Sequence, residues 1–221
     1  MIRLEQISKY YFKEGKRIPA LDHVDLEVKK GAFLSVIGPS GSGKTTLMNI
    51  LGCLDTPSEG SYYLSGKPVT QLRGRTVAAL RNREIGFIFQ SFNLIPALSA
   101  AENVALPLML RGVPQKERNA LALEALSAVG LASRCAHRPW ELSGGQQQRV
   151  AIARVLAAQP PLILADEPTG NLDGETRDEI LSLLCDLHRN GSTLVMITHD
   201  AGIAAAAPRI LRMQSGKLFP C

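Results

Sequence analysis

The sequence has no apolar stretch long enough to cross a membrane, and its few cysteines lie far apart. The apolar stretch from Val104 to Leu110 is short and is interrupted by Pro107, whereas a membrane-spanning helix needs about 18 apolar residues in succession. The segment Met1 to Glu5 lacks the apolar core of a signal peptide. None of the four cysteines belongs to a C-x-x-C pair, so the sequence indicates neither a zinc site nor a disulfide framework.

The composition also lacks the bias of a disordered or fibrous protein. Of the 221 residues, 45% are hydrophobic and 20% are charged, which are ordinary values for a globular protein. The length favours one domain, or one domain with a subdomain. Lysine and arginine number 25 and aspartate and glutamate 20, which gives a net charge of +5. Nucleic acid, a membrane surface or simple solubility would each explain so small an excess.

Apolar strands alternate with helical segments along much of the chain. Strands are expected at Phe33 to Ile37, Leu162 to Ala165 and Thr193 to Ile197, and helices over 46–54 and 174–190. This alternation predicts an α/β fold with a largely parallel sheet covered by helices.

Two other regions depart from this alternation. Residues 2–30 indicate short strands with polar turns. Residues 91–158 carry leucine, alanine and glutamate at helical spacing, with a helix expected over 115–129 and another after Ser143 as its N-cap. We interpret this second region as a helical insertion into the sheet. A basic run predicts a solvated helix face, with acidic lipid or a partner as the alternative; it comprises Arg73, Arg75, Arg81 and Arg83.

One segment matches the phosphate-loop pattern G-x-x-x-x-G-K-[ST] at every position. It consists of Gly38, Pro39, Ser40, Gly41, Ser42, Gly43, Lys44 and Thr45. Glycines let the backbone curl so that successive N–H groups point at phosphate oxygens, and the following helix adds the positive end of its dipole. In this pattern Lys44 reaches the β- and γ-phosphates, and the Thr45 hydroxyl is a ligand of Mg²⁺. The segment therefore predicts a site for a nucleoside triphosphate.

Two carboxylates follow the apolar strand that ends at Ala165. Asp166 and Glu167 are expected at the carboxyl edge of the sheet, where open α/β sheets bind ligands. Asp166 is a candidate to hold Mg²⁺, directly or through water. Glu167 is a candidate to orient or deprotonate the attacking water. Two acids after a strand are weak evidence alone, but the phosphate loop supports this interpretation.

A second glycine-rich helix start separates one class of nucleotide hydrolase from the others. Leu142-Ser143-Gly144-Gly145-Gln146 resembles the L-S-G-G-Q signature of the ATP-binding-cassette (ABC) ATPases. A serine and two glycines at a helix N-terminus offer a hydroxyl, free N–H groups and the helix dipole. The resemblance implies that Ser143, Gly144, Gly145 and Gln146 bind the γ-phosphate of the ATP that a second copy holds.

The resemblance extends in order along nearly the whole chain. Gln90 matches the Q-loop glutamine, Asp173 ends a match to the D-loop, and His199 matches the switch histidine. Tyr11 matches the aromatic residue that stacks on adenine, with Tyr10 as a close competitor. The resemblance thus implies catalytic roles for Glu167, His199, Gln90 and Lys44, nucleotide contacts from Tyr11, Thr46 and Asp173 besides the two glycine-rich segments, and metal ligation by Thr45, Gln90 and Asp166.

The same resemblance implies the fold and its subdivision. We expect a P-loop NTPase (RecA-like) core with a small antiparallel β subdomain and an inserted α-helical subdomain. The chain would then be one nucleotide-binding domain over 1–221, with 1–90 and 159–221 forming the core and β subdomain, and 91–158 the helical subdomain.

Finer similarity points to one group of bacterial ABC ATPases. The segments Leu54–Gly60, Arg83–Leu94 and Ala165–Asp173 are similar to those of the macrolide-exporter, lipoprotein-release and antimicrobial-peptide-resistance group. The chain has no long coiled coil, which nucleic-acid relatives carry. The resemblance implies an ATPase that uses ATP and Mg²⁺ as the separate subunit of a transporter, at the cytoplasmic face of the bacterial inner membrane. The alternative is a soluble ABC ATPase that acts on nucleic acid or ribosomes.

The implied partners are a second copy and a membrane permease, with no nucleic acid. Two copies would close around two ATP molecules, and each ATP would lie between Gly38–Thr45 of one protomer and Ser143–Gln146 of the other. A short helix of the permease is expected in a groove near Gln90 to Glu102. The resemblance to this group implies that the transported substrate is an amphiphile, such as a drug, a lipoprotein or a peptide.

Overall fold

The computed structural model describes all 221 residues. It contains ten strands, which form two sheets, and seven α-helices. The strands are β1 Ile2–Lys13, β2 Lys16–Val28, β3 Phe33–Ile37, β4 Glu59–Leu64, β5 Lys67–Pro68, β6 Ile85–Phe89, β7 Leu162–Asp166, β8 Thr193–Thr198, β9 Arg209–Gln214 and β10 Lys217–Pro220. The helices are α1 Lys44–Leu51, α2 Gly74–Glu84, α3 Ala100–Leu110, α4 Gln115–Ala128, α5 Gly144–Ala158, α6 Gly174–Arg189 and α7 Ala201–Ala204.

The larger sheet has six strands in the order β10-β9-β3-β8-β7-β6. β3 runs parallel to β8 and β9, and β7 runs parallel to β6 and β8. Only the β9–β10 hairpin is antiparallel. The predicted α/β fold with a largely parallel sheet is therefore confirmed. Because parallel strands point the same way, the carboxyl ends of β3, β6, β7 and β8 meet at one edge of the sheet.

The smaller, antiparallel sheet contains two strands that are longer than the sequence indicated. Its order is β2-β1-β4-β5, and β1 and β2 together take up nearly all of residues 2–30. Gln6 and His23 adopt left-handed φ values of 50° and 48°, and the β1–β2 pairing shifts register beside both. Such bulges break the alternation of apolar and polar residues. The expectation of several short strands was therefore wrong.

The expected helices are present with slightly different ends. The helix expected over 46–54 begins earlier, at Lys44, because the phosphate-loop lysine already has helical geometry. The helices expected over 115–129 and 174–190 are α4 and α6. The side chain of Asp173 caps α6 by accepting a hydrogen bond from the Thr176 N–H at 2.9 Å. Three residues of the basic run, Arg75, Arg81 and Arg83, lie on α2, which has no buried residue, and Arg73 is the N-cap of that helix.

Two apolar clusters cover opposite faces of the larger sheet. Leu162 and Leu164 of β7 belong to the cluster shared with α1 and the antiparallel sheet. Ile163 and Ala165 belong to the cluster shared with α3, α4, α5 and α6. This period of two is that of a strand buried on both faces. None of the helices is both long and apolar enough to span a membrane.

Candidate functional site

The sheet topology brings four loops to the same edge. The phosphate loop follows β3, Gln90 follows β6, Asp166 ends β7, and His199 follows β8. Because these four strands are parallel neighbours, residues far apart in sequence meet at their carboxyl ends. The edge is the position where ligands bind in open α/β sheets.

The phosphate loop has room for glycine alone at two positions. At Gly38 a Cβ would lie 2.3 Å from the Met213 carbonyl oxygen, and at Gly43 it would lie 2.5 Å from the Ala20 carbonyl oxygen. Gly43 also has a left-handed φ of 109°, which costs glycine little. Strands β9 and β2 thus pack against the loop and fix its curled backbone.

The loop leaves several polar groups available to an anion. Helix α1 starts after Gly43 with no side-chain cap, so its first N–H groups have no partner from a capping residue. The buried Ser42 hydroxyl also has no hydrogen-bond partner. Lys44 Nζ donates to the carbonyl oxygens of Gly38 and Pro39 at 2.7 and 2.8 Å, which holds the ammonium against the loop. Unpaired donors and a positive charge around one curl fit a phosphate group.

Asp166 and Glu167 occupy different environments although they are adjacent. Burial raises the pKa of Asp166 above its usual value, the charge of Glu167 raises it further, and the Lys44 ammonium opposes both. This coupling puts the Asp166 carboxylate close to the phosphate-loop lysine. The half-buried Asp166 carboxylate and the exposed hydroxyl of Thr45, which follows Lys44 in the chain, are oxygen donors of the kind that Mg²⁺ prefers.

Glu167 is fixed by the backbone and by a histidine. Its φ of 46° is left-handed, and its N–H donates to the Ile197 carbonyl at 2.9 Å. One carboxylate oxygen, Oε1, lies 2.8 Å from Nδ1 of His199. The side chain of His199 is 70% exposed, whereas that of Glu167 is 16% exposed. The two side chains therefore form a pair that faces solvent through the histidine.

Gln90 joins this edge through a reciprocal hydrogen-bonded pair. Its Nε2 donates to Oδ1 of Asn171 at 3.1 Å, and Nδ2 of Asn171 donates to the Gln90 carbonyl at 3.1 Å. At Gly170 a Cβ would lie 2.8 Å from Gln90 Nε2. These two hydrogen bonds thus join the segment after β6 to the segment after β7.

Tyr11 lies against the start of α1, in a cluster that the sequence did not reveal. Its hydroxyl donates to Oδ2 of Asp55 at 2.9 Å and lies close enough to the Thr46 side chain for that group to lower the pKa of Tyr11. Asp55 accepts a second bond, at 2.6 Å, from Lys9 Nζ, and that ammonium lies 5.1 Å from the centroid of the Tyr11 ring. Burial and the Asp55 contact raise the pKa of Tyr11.

Tyr10 has other partners. The guanidinium of Arg17 lies 3.2 Å above its ring, and its hydroxyl donates to Glu59 at 3.3 Å. One face of the Tyr10 ring is therefore already covered, and its hydroxyl points to the antiparallel sheet. Of the two tyrosines, Tyr11 is the one in contact with the phosphate-loop helix.

The signature segment caps the N-terminus of its own helix, α5. Ser143 Oγ accepts from the Gln146 N–H at 3.3 Å, and Gln146 Oε1 accepts from the Ser143 N–H at 3.0 Å, so that the pair forms a capping box. At Gly145 a Cβ would lie 2.5 Å from Thr176 Cγ2, whereas at Gly144 it would meet nothing closer than 3.7 Å. No hydrogen bond or ion pair joins residues 143–146 to the phosphate loop. The fold thus brings the other candidate residues to one edge but leaves the signature segment separate from them.

A groove with a volume of about 530 Å³ lies between α2 and β6 on one side and α3 and α5 on the other. Of the stretch from Gln90 to Glu102, where a groove was expected, only Asn93 lines it. Two residues of the basic run, Arg75 and Arg81, line it as well. The solvated helix face predicted for that run is therefore one wall of a cavity.

Comparison with known proteins agrees with these features. The family model described as "ABC transporter" matches residues 21–170. The chain is 49% identical over 218 residues to an uncharacterised ABC transporter ATP-binding protein, YvrO, of Bacillus subtilis (strain 168), and the match covers 99% of this chain and 95% of that protein. It is 45% identical to the macrolide export ATP-binding/permease protein MacB of Hyphomonas neptunium, and that match covers 99% of this chain but only 34% of MacB.

Among solved structures, a dimer of the ATP-binding cassette MJ0796 in a post-hydrolysis state, bound to ADP and phosphate, superposes with a TM-score of 0.92. Its sequence is 44% identical, and the match covers all of this chain and 98% of that one. The predicted resemblance and the predicted fold class are both confirmed. The chain belongs to the ABC transporter family, as one of its ATP-binding ATPase cassettes.

Proposed function

We propose that this chain hydrolyses ATP to power a bacterial ABC transporter that exports an amphiphilic substrate or extracts it from the membrane. One observation carries the proposal: an uncapped phosphate loop, a half-buried Asp166 and the Glu167–His199 pair share one edge of the sheet. Phosphate binding alone needs only the loop. A carboxylate and a histidine placed beside it are the groups that hydrolysis requires.

In this proposal each residue at the edge of the sheet has a separate role in hydrolysis. The N–H groups of residues 40–46 and the Lys44 ammonium bind the β- and γ-phosphates and stabilise the charge that develops during transfer. Glu167 orients the attacking water and accepts its proton, and His199 holds the carboxylate through the 2.8 Å contact while its exposed ring reaches the γ-phosphate. Tyr11 stacks on the adenine, and Asp55 with Lys9 holds the Tyr11 ring in place.

Thr45, Asp166 and Gln90 would hold Mg²⁺. The ion, when bound, neutralises charge on the β- and γ-phosphate oxygens. The Gln90 side chain now donates to Asn171 at 3.1 Å, and its amide oxygen remains available as a ligand. Through Asn171 the same glutamine connects the site to the D-loop segment that ends at Asp173.

A second copy completes the site in this proposal. The open position at Gly144 and the exposed Ser143 leave the signature segment free to bind the γ-phosphate held by the other protomer. The dimeric state of the MJ0796 cassette, with 44% identity, supports this arrangement. Because the γ-phosphate touches both halves, closure is favoured with ATP and is lost after hydrolysis.

The transport role rests on the relatives. MacB is named a macrolide export ATP-binding/permease protein, and the part of it that this chain matches is 34% of its length. A separate permease would then take the place of the remainder, and this chain would bind it at the cytoplasmic face of the inner membrane. The groove beside α2 is the surface that we assign to the permease, and the phosphate-loop edge of the larger sheet is the surface that we assign to ATP and the second copy.

The Glu167→Gln variant tests the hydrolytic assignment against Lys44→Ala. We expect Glu167→Gln to release phosphate about 1000-fold more slowly than the wild type, since general-base catalysis contributes up to this much, and to keep ATP binding. Lys44→Ala should lose ATP binding and hydrolysis together. Phosphate release and binding of a fluorescent ATP analogue are measured on the same preparations. Near-normal turnover in Glu167→Gln would remove the general-base role, and retained activity in Lys44→Ala would remove the phosphate-loop role.

A further inference from the structure

A buried glutamine of the signature helix is hydrogen-bonded to the loop that carries Glu167. Gln148 lies in the second turn of α5, and its side chain is fully buried. Its Nε2 donates a hydrogen bond to the carbonyl oxygen of Pro168 at 2.6 Å. Because Pro168 directly follows Glu167 in the chain, this bond fixes the backbone one residue beyond the group that we assign as the general base.

The backbone at Glu167 needs such support because its conformation is unfavourable. Its φ of 46° is left-handed, and a residue with a Cβ disfavours this region. A strained backbone persists only where the surrounding structure fixes it. Two main-chain hydrogen bonds do so here: the Glu167 N–H donates to the Ile197 carbonyl at 2.9 Å, and the Glu167 carbonyl accepts from the Gly170 N–H at 3.0 Å. The bond from Gln148 adds a third restraint, from a different element of the fold.

The other end of the Gln148 amide shows that packing alone does not account for a glutamine at this position. Its Oε1 is buried and has no hydrogen-bond partner, and a buried polar atom without a partner lowers stability. A methionine would fill a similar space without leaving such an atom. The feature that a glutamine adds here, and that an apolar side chain would lack, is the hydrogen bond to Pro168.

We infer that Gln148 is a positioning residue for hydrolysis, which holds the Pro168 carbonyl so that Glu167 keeps its left-handed backbone and directs its carboxylate to the phosphate-loop edge. The inference rests on the proposed function, in which Glu167 is the general base. A general base must lie within hydrogen-bond reach of the water that it deprotonates, so a small displacement of this loop slows the reaction. ATP affinity should not depend on Gln148, because its side chain has no hydrogen bond to the phosphate loop.

Gln148→Met tests this inference, because methionine keeps the length of the side chain and removes the donor. Gln147→Met is the matched control, since it removes the neighbouring amide of α5, which donates to the Leu142 carbonyl at 3.1 Å. We expect Gln148→Met to lower kcat about 30-fold, within the 100-fold that a misplacement of about 1 Å can cause, and to change the Kd of a fluorescent ATP analogue less than about twofold. The control should change either value less than about twofold. Gln148→Leu, which also lacks the donor, is the second variant, and thermal unfolding shows that all variants are folded.

A double-mutant cycle with Glu167→Gln separates positioning of the base from a structural role. If Gln148 acts through Glu167, Gln148→Met slows single-turnover hydrolysis about 30-fold in the wild-type background but less than about threefold when Glu167→Gln is already present. The same factor in both backgrounds, an equal loss in Gln147→Met, or a loss of ATP affinity as large as the loss of kcat would overturn the inference.

The same measurements distinguish failure of this inference from failure of the proposed function. Normal turnover in Gln148→Met and Gln148→Leu, beside slow turnover in Glu167→Gln, refutes only the role of Gln148. Near-normal turnover in Glu167→Gln alone refutes the general-base role, and the positioning role with it.

Discussion

Helices α1 and α5 both begin in glycine-rich segments, but only α5 has a side-chain cap at its N-terminus. Helix α1 follows Gly43, which supplies no side-chain cap, and the nearby Ser42 hydroxyl is buried without a partner. Helix α5 is capped by its own Ser143, and Gln146 completes the capping box. A side-chain cap is worth about 1 kcal/mol. The N-terminus of α1 therefore leaves N–H groups free to bind an outside anion. The N-terminus of α5 is capped by side chains of its own chain.

Their electrostatic surroundings sharpen this difference. Lys44 holds a positive charge inside the phosphate loop. Beside the signature segment, Arg149 lines the cavity but is paired with Glu179. In the proposed dimer the two helix starts would be unequal halves of one shared site, because α1 leaves donors free for an anion and α5 caps its own donors. Nucleotide affinity should then depend on the first half, and turnover on both.

The largest effect is expected when a negative charge is added to the signature segment. Gly144 has room for a Cβ, so Gly144→Asp is tolerated by the fold, and an acid at the first turn of a helix is favourable. The new carboxylate would repel the γ-phosphate of the second copy. We expect turnover to fall about 100-fold, the scale of losing one charge-stabilising donor, with ATP affinity nearly unchanged. Phosphate release and equilibrium titration with a fluorescent ATP analogue check this.

Gly144→Ala is the matched control, because it adds the Cβ without the charge. It should keep most of the turnover. If Gly144→Asp weakened ATP binding as much as turnover, the signature segment would belong to the same nucleotide site as the phosphate loop of its own chain, and the two halves would not be separable.

The adenine contact tests whether the phosphate-loop half holds the whole nucleotide. Tyr11 contacts Asp55 and Thr46, whereas the Tyr10 ring is covered by Arg17. Stacking on a base is worth about 1–3 kcal/mol, so Tyr11→Ala should weaken ATP binding about tenfold and Tyr11→Phe far less. Tyr10→Ala serves as the comparison. A larger loss in Tyr10→Ala than in Tyr11→Ala would reassign the stacking ring.

The smallest effect is expected at Asp55, whose carboxylate accepts the hydrogen bond from the Tyr11 hydroxyl. Burial alone would raise the pKa of Asp55, but hydrogen bonds from Lys9, Tyr11 and the Thr56 N–H lower it below 3.8. A lowered pKa in the folded state means that the ionised carboxylate stabilises the protein above about pH 4 and that this stability is lost as the pH falls below it. Because the Asp55 side chain is still 28% exposed, so that solvent screens the pair, Asp55→Asn should lower Tm at pH 7 by only about 1–2 °C.

Thermal unfolding of Asp55→Asn and the wild type from pH 7 to pH 3.5 follows this difference, which should shrink at the acid end. Asp178→Asn, at a carboxylate without a hydrogen bond or ion pair, is the control. A Tm difference that grew towards acid pH would reverse the sign assigned to Asp55.

The sequence was most informative where one short segment contains the chemistry. The phosphate loop and the capping box at Ser143 depend on neighbours in the chain, and their geometry follows the pattern. The contacts among Tyr11, Asp55 and Lys9 and the arginine lining of the groove beside α2 were missed because these residues come from distant segments, which only the packing of the sheets and helices brings together. The bulges at Gln6 and His23 were missed for a local reason, since no glycine marks their left-handed φ.

The central claim is that ATP joins two copies by bridging the phosphate loop of one and the signature segment of the other. Sedimentation velocity of the Glu167→Gln variant with and without ATP and Mg²⁺ tests it most directly. We expect a single species near 23.9 kDa without nucleotide, a species of twice that mass with ATP, and no such change when Gly144→Asp is added. The same mass with and without ATP, or an ATP-induced dimer that survives Gly144→Asp, would contradict it.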